Sequence, residues 1–76
     1  MSKYDSTMLK LAKMASINIA RKNRISRVNA FIKLMNSKTG KMLFNENESM
    51  WMNGPDYIAN EYEREVYFLR NKVSMN

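Results

Sequence analysis

Met8, Leu11, Ala12, Ala15 and Ile19 recur at the i, i+3, i+4, i+7 spacing of one helix face. That spacing predicts a first helix from about Ser6 to Lys22. Asp5 or Ser6 can cap it, because a short side-chain oxygen accepts the free amides of a first turn. Lys10, Lys13 and Arg21 fall on the opposite face, and Lys22 lies in the last turn, where a cation suits the helix dipole. A second helix is predicted from about Arg24 to Ser37, with Ile25, Val28, Ile32 and Met35 as its buried anchors and Phe31 widening the stripe. Asn23 can cap its start, and Gly40 can end it in a left-handed conformation. An alternative α+β reading places a hairpin at 28–45, with strands Val28–Met35 and Lys41–Asn45 around a polar turn. The helix is preferred because all four anchors match a period of 3.6, whereas strict alternation fails at Phe31-Ile32 and Leu34-Met35.

A third, short helix is predicted from about Glu46 to Met52, with Asn45 and Glu48 as a capping box. Gly54 follows it. Pro55 and Asp56 then suit the first turn of a fourth helix, where a missing N–H costs nothing and an acid complements the dipole. Ile58, Tyr62, Val66 and Leu69 form its buried stripe, and Arg70 and Lys72 close it, with Val73 to Asn76 frayed. The stripes predict an all-α four-helix bundle, three main helices and one short, in a single helical domain over 1–76. Met50 and Trp51 are expected to plug it from the short helix.

Size limits what such a bundle can bury. A 76-residue chain removes only about 60% of its unfolded surface from water. Eight Met and eight aromatics supply one small core. Cys and His are both absent, which removes disulfides, makes a zinc site very unfavourable and takes away the commonest general base. No run of 18 apolar residues is present, and the start of the chain lacks a secretory core. A cytoplasmic protein is expected. Ten Asn, with abundant Lys, Met and Ile, point to an AT-rich genome such as that of a phage.

Charge adds the sharpest feature. Residues 1–41 hold ten of the thirteen Lys and Arg and one acid, whereas 42–76 hold six acids and three bases. The halves are therefore +9 and −3, summing to the +6 of the whole chain. Such a field attracts polyanions to one side of the molecule. The candidate nucleic-acid-binding residues are Lys10, Lys13, Arg21, Lys22, Arg24 and Arg27, with Asn18, Asn23 and Asn29 among them as donors. Long cations along one ridge track phosphates by ion pairing and counterion release. Met14 and Ile17 lie on or beside this ridge and are expected to pack beneath a neighbouring helix. Tyr62 is read as core, with Tyr57 and Tyr67 as partly exposed cover on a helix carrying Glu61, Glu63 and Glu65.

Other patterns carry less. Thr39-Gly40-Lys41 lacks the earlier glycine of a phosphate loop, since Met35 stands at that position. Asn47-Glu48-Ser49 matches a glycosylation sequon without a secretory context. The pairs Glu46/Glu48 and Glu61/Glu65 have no base or nucleophile beside them and are read as surface charge.

The segment Asp5-Ser6-Thr7-Met8-Leu9-Lys10-Leu11-Ala12, with Tyr4 ahead of it, resembles a stretch of the HRDC module of RecQ-type helicases and RNase D. Gly54-Pro55 leading to Tyr62, Phe68 and Leu69 is similar to that module's closing helix. The Gly-x-Gly turn of the family is absent. The resemblance implies a helical bundle that binds single-stranded or structured DNA as an accessory to a helicase or another recombination protein. Lys10 is the one site residue it carries over.

The expected function is thus a non-enzymatic nucleic-acid-binding accessory module, monomeric and without cofactor, acting in DNA recombination, repair or replication. The alternative is a small protein-interaction module that modulates a host or phage enzyme. Membrane binding is disfavoured, because the apolar face of the first helix is Ala-rich and lacks Trp and Phe.

Overall fold

The computed structural model describes residues 3–45, 47–48 and 50–74, with side chains for 5–45, 47–48 and 50–71. It is all-α: α1 (Lys3–Asn23), α2 (Arg27–Met35), α3 (Lys38–Leu43), a 3₁₀ turn (Met50–Asn53) and α4 (Gly54–Ser74). Among the described residues there is no strand. The region 28–45 therefore forms two helices, and the hairpin alternative is not what the chain adopts.

The predicted stripe of α1 is its buried face. Met8, Ala12, Ala15 and Ile19 are inaccessible and Leu11 is half-buried against them. Asp5 falls inside the first turn instead of capping it, because the helix begins at Lys3. Ser16 is also buried, its hydroxyl donating to the Ala12 carbonyl at 2.7 Å. That back-bond satisfies a polar group which would otherwise be costly in the core.

The chain leaves α1 through Arg24, which has φ of 55°. The Ile25 N–H donates to the Ala20 carbonyl at 3.1 Å, closing the six-to-one loop of a Schellman cap. This cap delays the next helix. The N-cap of α2 is accordingly Ser26, whose hydroxyl accepts from the Asn29 N–H at 3.1 Å, and not Asn23. Asn23 ends α1 and donates to the Ile19 carbonyl and to Glu63.

The rotation of α2 differs from the prediction. Ala30 and Leu34 are its buried residues. Val28 is 68% exposed and Ile32 50% exposed, while Ile25, Phe31 and Met35 are half-buried. Val28 and Ile32 stand two residues either side of Ala30, roughly 160° round the helix from it. Ala30 and Leu34 share one buried cluster with Ala12, Ala15 and Ala20 of α1, and small residues let two helices approach closely. Burying the larger Val28 and Ile32 there would hold the backbones apart.

Gly40 does not end α2. It sits inside α3, where a Cβ would stand 2.1 Å from the Leu34 carbonyl oxygen and 3.1 Å from the Met35 Cα. Glycine is needed because the start of α3 lies against the end of α2. Ser37 is the N-cap of α3, accepting from the Gly40 N–H at 3.0 Å. Glu65 of α4 completes that end, accepting from Lys38 N–H at 2.9 Å, Thr39 N–H at 2.8 Å and the Thr39 hydroxyl at 2.7 Å.

Of the predicted helix at 46–52, Asn47 and Glu48 are turn and irregular backbone, and Met50 begins the 3₁₀ turn. Asn45 accepts from the Asn47 N–H through its side chain and from the Glu48 N–H through its carbonyl, so no capping box forms. Glu46 and Ser49 lie outside the described residues. Of the short element only Met50 is buried; Trp51 is 40% exposed and does not plug the bundle. Gly54, with φ of 82°, turns the chain into α4, and Pro55 and Asp56 occupy the first turn as predicted.

Three polar pairs line the seam between α1 and α4. Asn18 donates to Asp56 at 2.7 Å, Lys22 to Asn60 at 3.3 Å and Asn23 to Glu63 at 2.7 Å. The numbers rise together, so the two helices run in the same direction along this seam. Beneath it Ile58, Ala59 and Tyr62 are buried. The second half of α4 finds less cover: Val66 is half-buried and Leu69, predicted as core, is 57% exposed with Tyr67 and Phe68 beside it. The expected fraying from Val73 gives way to helix through Ser74; 75 and 76 lie outside the described residues.

Candidate functional site

All six predicted basic residues are exposed. Among the described residues none of them forms an ion pair. At about 100° per residue, Lys10, Met14, Ile17 and Arg21 fall within one narrow stripe of α1, with Lys13 at its edge. Met14 and Ile17, expected to pack under a neighbour, are instead part of this outer stripe.

The structure divides the cations into two groups. Lys13 and Arg27 line a cleft of about 380 Å³ between α1 and α2, together with Ser16, Ile17, Val28 and Phe31. No acid lines it. Arg21 and Lys22 line a second hollow of about 410 Å³ between α1 and α4, with Asn18, Asp56, Ala59 and Asn60. There the Asp56 carboxylate offsets part of the positive charge, and the Lys22 ammonium already donates to Asn60. Lys10 and Arg24 line neither. The uncompensated part of the field therefore lies over the outer stripe of α1 and the α1–α2 turn.

Arg24 stands out within that turn. Its left-handed backbone costs a non-glycine residue about 1 kcal/mol, and glycine would relieve it. A cation occupies the position where local stability alone favours glycine.

The acids of α4 are used internally. Glu61 pairs with Arg64 at 3.4 Å. A hydrogen bond to Glu61 and its negative charge hold the Tyr57 phenol above its usual range, against the opposing Arg64 charge. For Glu65, burial pushes the carboxyl upward. The Thr39 hydroxyl, the two backbone N–H groups and the Lys38 charge outweigh that effect, leaving it below the ordinary carboxylate range. Glu65 is therefore an anchor for α3 and not the surface charge its sequence context predicts. Burial, with the charges of Glu63 and Glu65, raises the phenol of Tyr62.

Val28 and Ile32, like Leu69 of α4, are surface residues that the periodicity assigned to the core. One signal was available: Ala30 and Leu34 form an i,i+4 pair of their own, and the small member matches the alanine stripe of α1. Compared with known proteins, the chain matches no family model, no curated protein and no solved structure.

Proposed function

We propose that this chain is a non-enzymatic nucleic-acid-binding module that contacts phosphates through the outer stripe of α1 and the α1–α2 turn. The supporting observation is the exposed, acid-poor set Lys10, Lys13, Arg21, Arg24 and Arg27, with Arg24 held in a glycine-like conformation. Lys22 joins this set from the rim of the α1–α4 hollow. Phosphate contacts of this kind position a nucleic acid without reading its bases, so binding is salt-sensitive and weakly sequence-dependent. The HRDC resemblance belongs to the same proposal. Its segment 5–12 lies in α1, and it would make the ligand single-stranded or structured DNA in recombination, repair or replication beside a helicase.

The test is fluorescence anisotropy with labelled single-stranded, duplex and forked DNA across a salt series. A slope of log affinity against log salt of about −2 to −4 corresponds to roughly three to five phosphate contacts. Arg21→Glu combined with Arg24→Glu abolishes this binding while the helical circular dichroism persists. Absence of binding at low salt, or wild-type affinity in the double variant, refutes the assignment.

A second reading, a module that docks on a host or phage enzyme, is favoured by one observation. Trp51, Met52, Tyr67, Phe68 and Leu69 are all exposed on the 3₁₀ turn and α4. Contiguous exposed apolar groups are a feature of protein-contact surfaces. Recovery of one stoichiometric protein after nuclease treatment favours that reading.

A further inference from the structure

The cleft between α1 and α2 has a chemistry that phosphate binding leaves unexplained. Phosphates need the cations at its rim but have no use for its floor, which is Ile17, Val28 and Phe31. The apolar surface continues past the cleft, since Ile32 adjoins Val28 one turn along α2 and Met14 adjoins Ile17 on α1. Ile17 is 37% exposed even with α2 beside it. Exposed aliphatic groups at helical spacing on two neighbouring helices form a groove with ridges at i, i+3 and i+4. That is the complement of a third helix.

The floor also argues against unpaired bases. Bases stack on aromatic faces, and here two of the three floor residues are β-branched aliphatics, with Phe31 half-buried. A helix presenting Leu or Ile at i, i+3, i+4 and i+7 gains by filling such a floor, because each aliphatic anchor leaves water. Charge then selects among helices. Lys13 and Arg27 stand on the two walls, and no carboxylate lines the cleft. A helix with basic flanks is repelled there, and one with acidic flanks is steered in.

We propose that the α1–α2 cleft is a docking groove for an amphipathic helix of another protein, with an aliphatic stripe and Glu or Asp along its flanks. This site is distinct from the nucleic-acid reading in its apolar floor, though the two share Lys13 and Arg27. The partner and a DNA strand therefore compete for the same rim.

The experiment uses the full chain with ¹³C-labelled Ile, Val and Phe, observed by NMR. The probe is a synthetic five-turn helical peptide with a Leu stripe and Glu flanks; a matched peptide carries Lys flanks. The acidic peptide shifts the Ile17, Val28 and Ile32 methyls and the Phe31 ring, and the Lys-flanked peptide leaves them unmoved. Val28→Ser with Ile32→Ser weakens acidic-peptide binding by about tenfold or more while the far-ultraviolet circular dichroism is retained. Lys13→Gln with Arg27→Gln weakens it too and flattens its salt dependence. The same double serine variant keeps its affinity for duplex DNA, which separates failure of this site from failure of the phosphate-binding face. Equal binding of both peptides, or silence of the cleft resonances with the acidic one, overturns the proposal. It is equally overturned if those resonances move only on concentrating the protein, with oligothymidylate, or with phosphatidylglycerol vesicles. Those results assign the groove to a second copy, a single strand or a membrane surface respectively.

Discussion

Replacing Glu65 tests how a six-residue helix with glycine at its third position stays folded. Three donors of α3 converge on this carboxylate at 2.7–2.9 Å, and two of them are backbone N–H groups at the start of the helix. A hydrogen bond to a charged group contributes about 1.5–3 kcal/mol, and loss of a helix cap costs about 1 kcal/mol. The three bonds share one half-buried acceptor, so their contributions overlap. Glu65→Ala is expected to cost about 2–3 kcal/mol and Glu65→Gln, which keeps one oxygen acceptor without the charge, about 1 kcal/mol. For a domain of this size the alanine variant melts about 10–20 °C lower. The pH dependence has a definite sign. Because the folded carboxyl lies below its unfolded value, its contribution is complete above the unfolded glutamate pKa of about 4.3. It is lost as pH falls from there through the folded pKa. Urea denaturation at pH 7, 5, 4 and 3 should therefore give a gap between wild type and Glu65→Gln that is constant down to pH 5 and closes below it. Hydrogen exchange at Lys38 and Thr39 should quicken in both variants at neutral pH. A gap absent at pH 7, or unchanged at pH 3, would falsify the assignment of Glu65 as the anchor of α3.

Other substitutions probe the remaining geometry. Gly40→Ala should destabilise by about 2 kcal/mol in spite of alanine's better helix propensity, because its Cβ meets the Leu34 carbonyl. Gly54→Ala meets no atom and should cost only the left-handed strain, about 1 kcal/mol; a urea titration of both ranks them. Leu34→Ala should lose about 3–5 kcal/mol whereas Val28→Ser stays within about 0.5 kcal/mol, and the reverse order would mean that α2 is rotated as its Val28/Ile32 stripe predicts. Arg24→Gly should raise the thermal midpoint by relieving about 1 kcal/mol of strain while lowering affinity for DNA in the anisotropy assay.

How much of this was legible in the residues depends on how local each feature is. The two long helices were readable because their signals repeat every turn: the Met8–Ile19 stripe and its opposing cations in α1, and Pro55, Asp56, Ile58 and Tyr62 in α4. The cationic set was readable because no acid other than Asp5 accompanies it in the first 41 residues, and lysine and arginine stay at the surface wherever the helix turns. The rotation of α2 was not readable, because that segment carries apolar residues on two opposite faces. Only packing into the shared core, with the α1 alanines among its members, put Ala30 and Leu34 on the inside. That choice placed Val28 and Ile32 at the surface and, with Ile17, made the cleft. The short helix α3 was hidden for a stronger reason. Lys38-Thr39-Gly40-Lys41 has the composition of a turn, and the Glu65 carboxylate that holds it helical comes from 26 residues further along the chain. Periodicity and capping are properties of neighbours in sequence, and they determined that the segments of α1, α2 and α4 are helical. Which face each helix buries, and where a glycine must stand, is decided by atoms that meet only after the chain has folded.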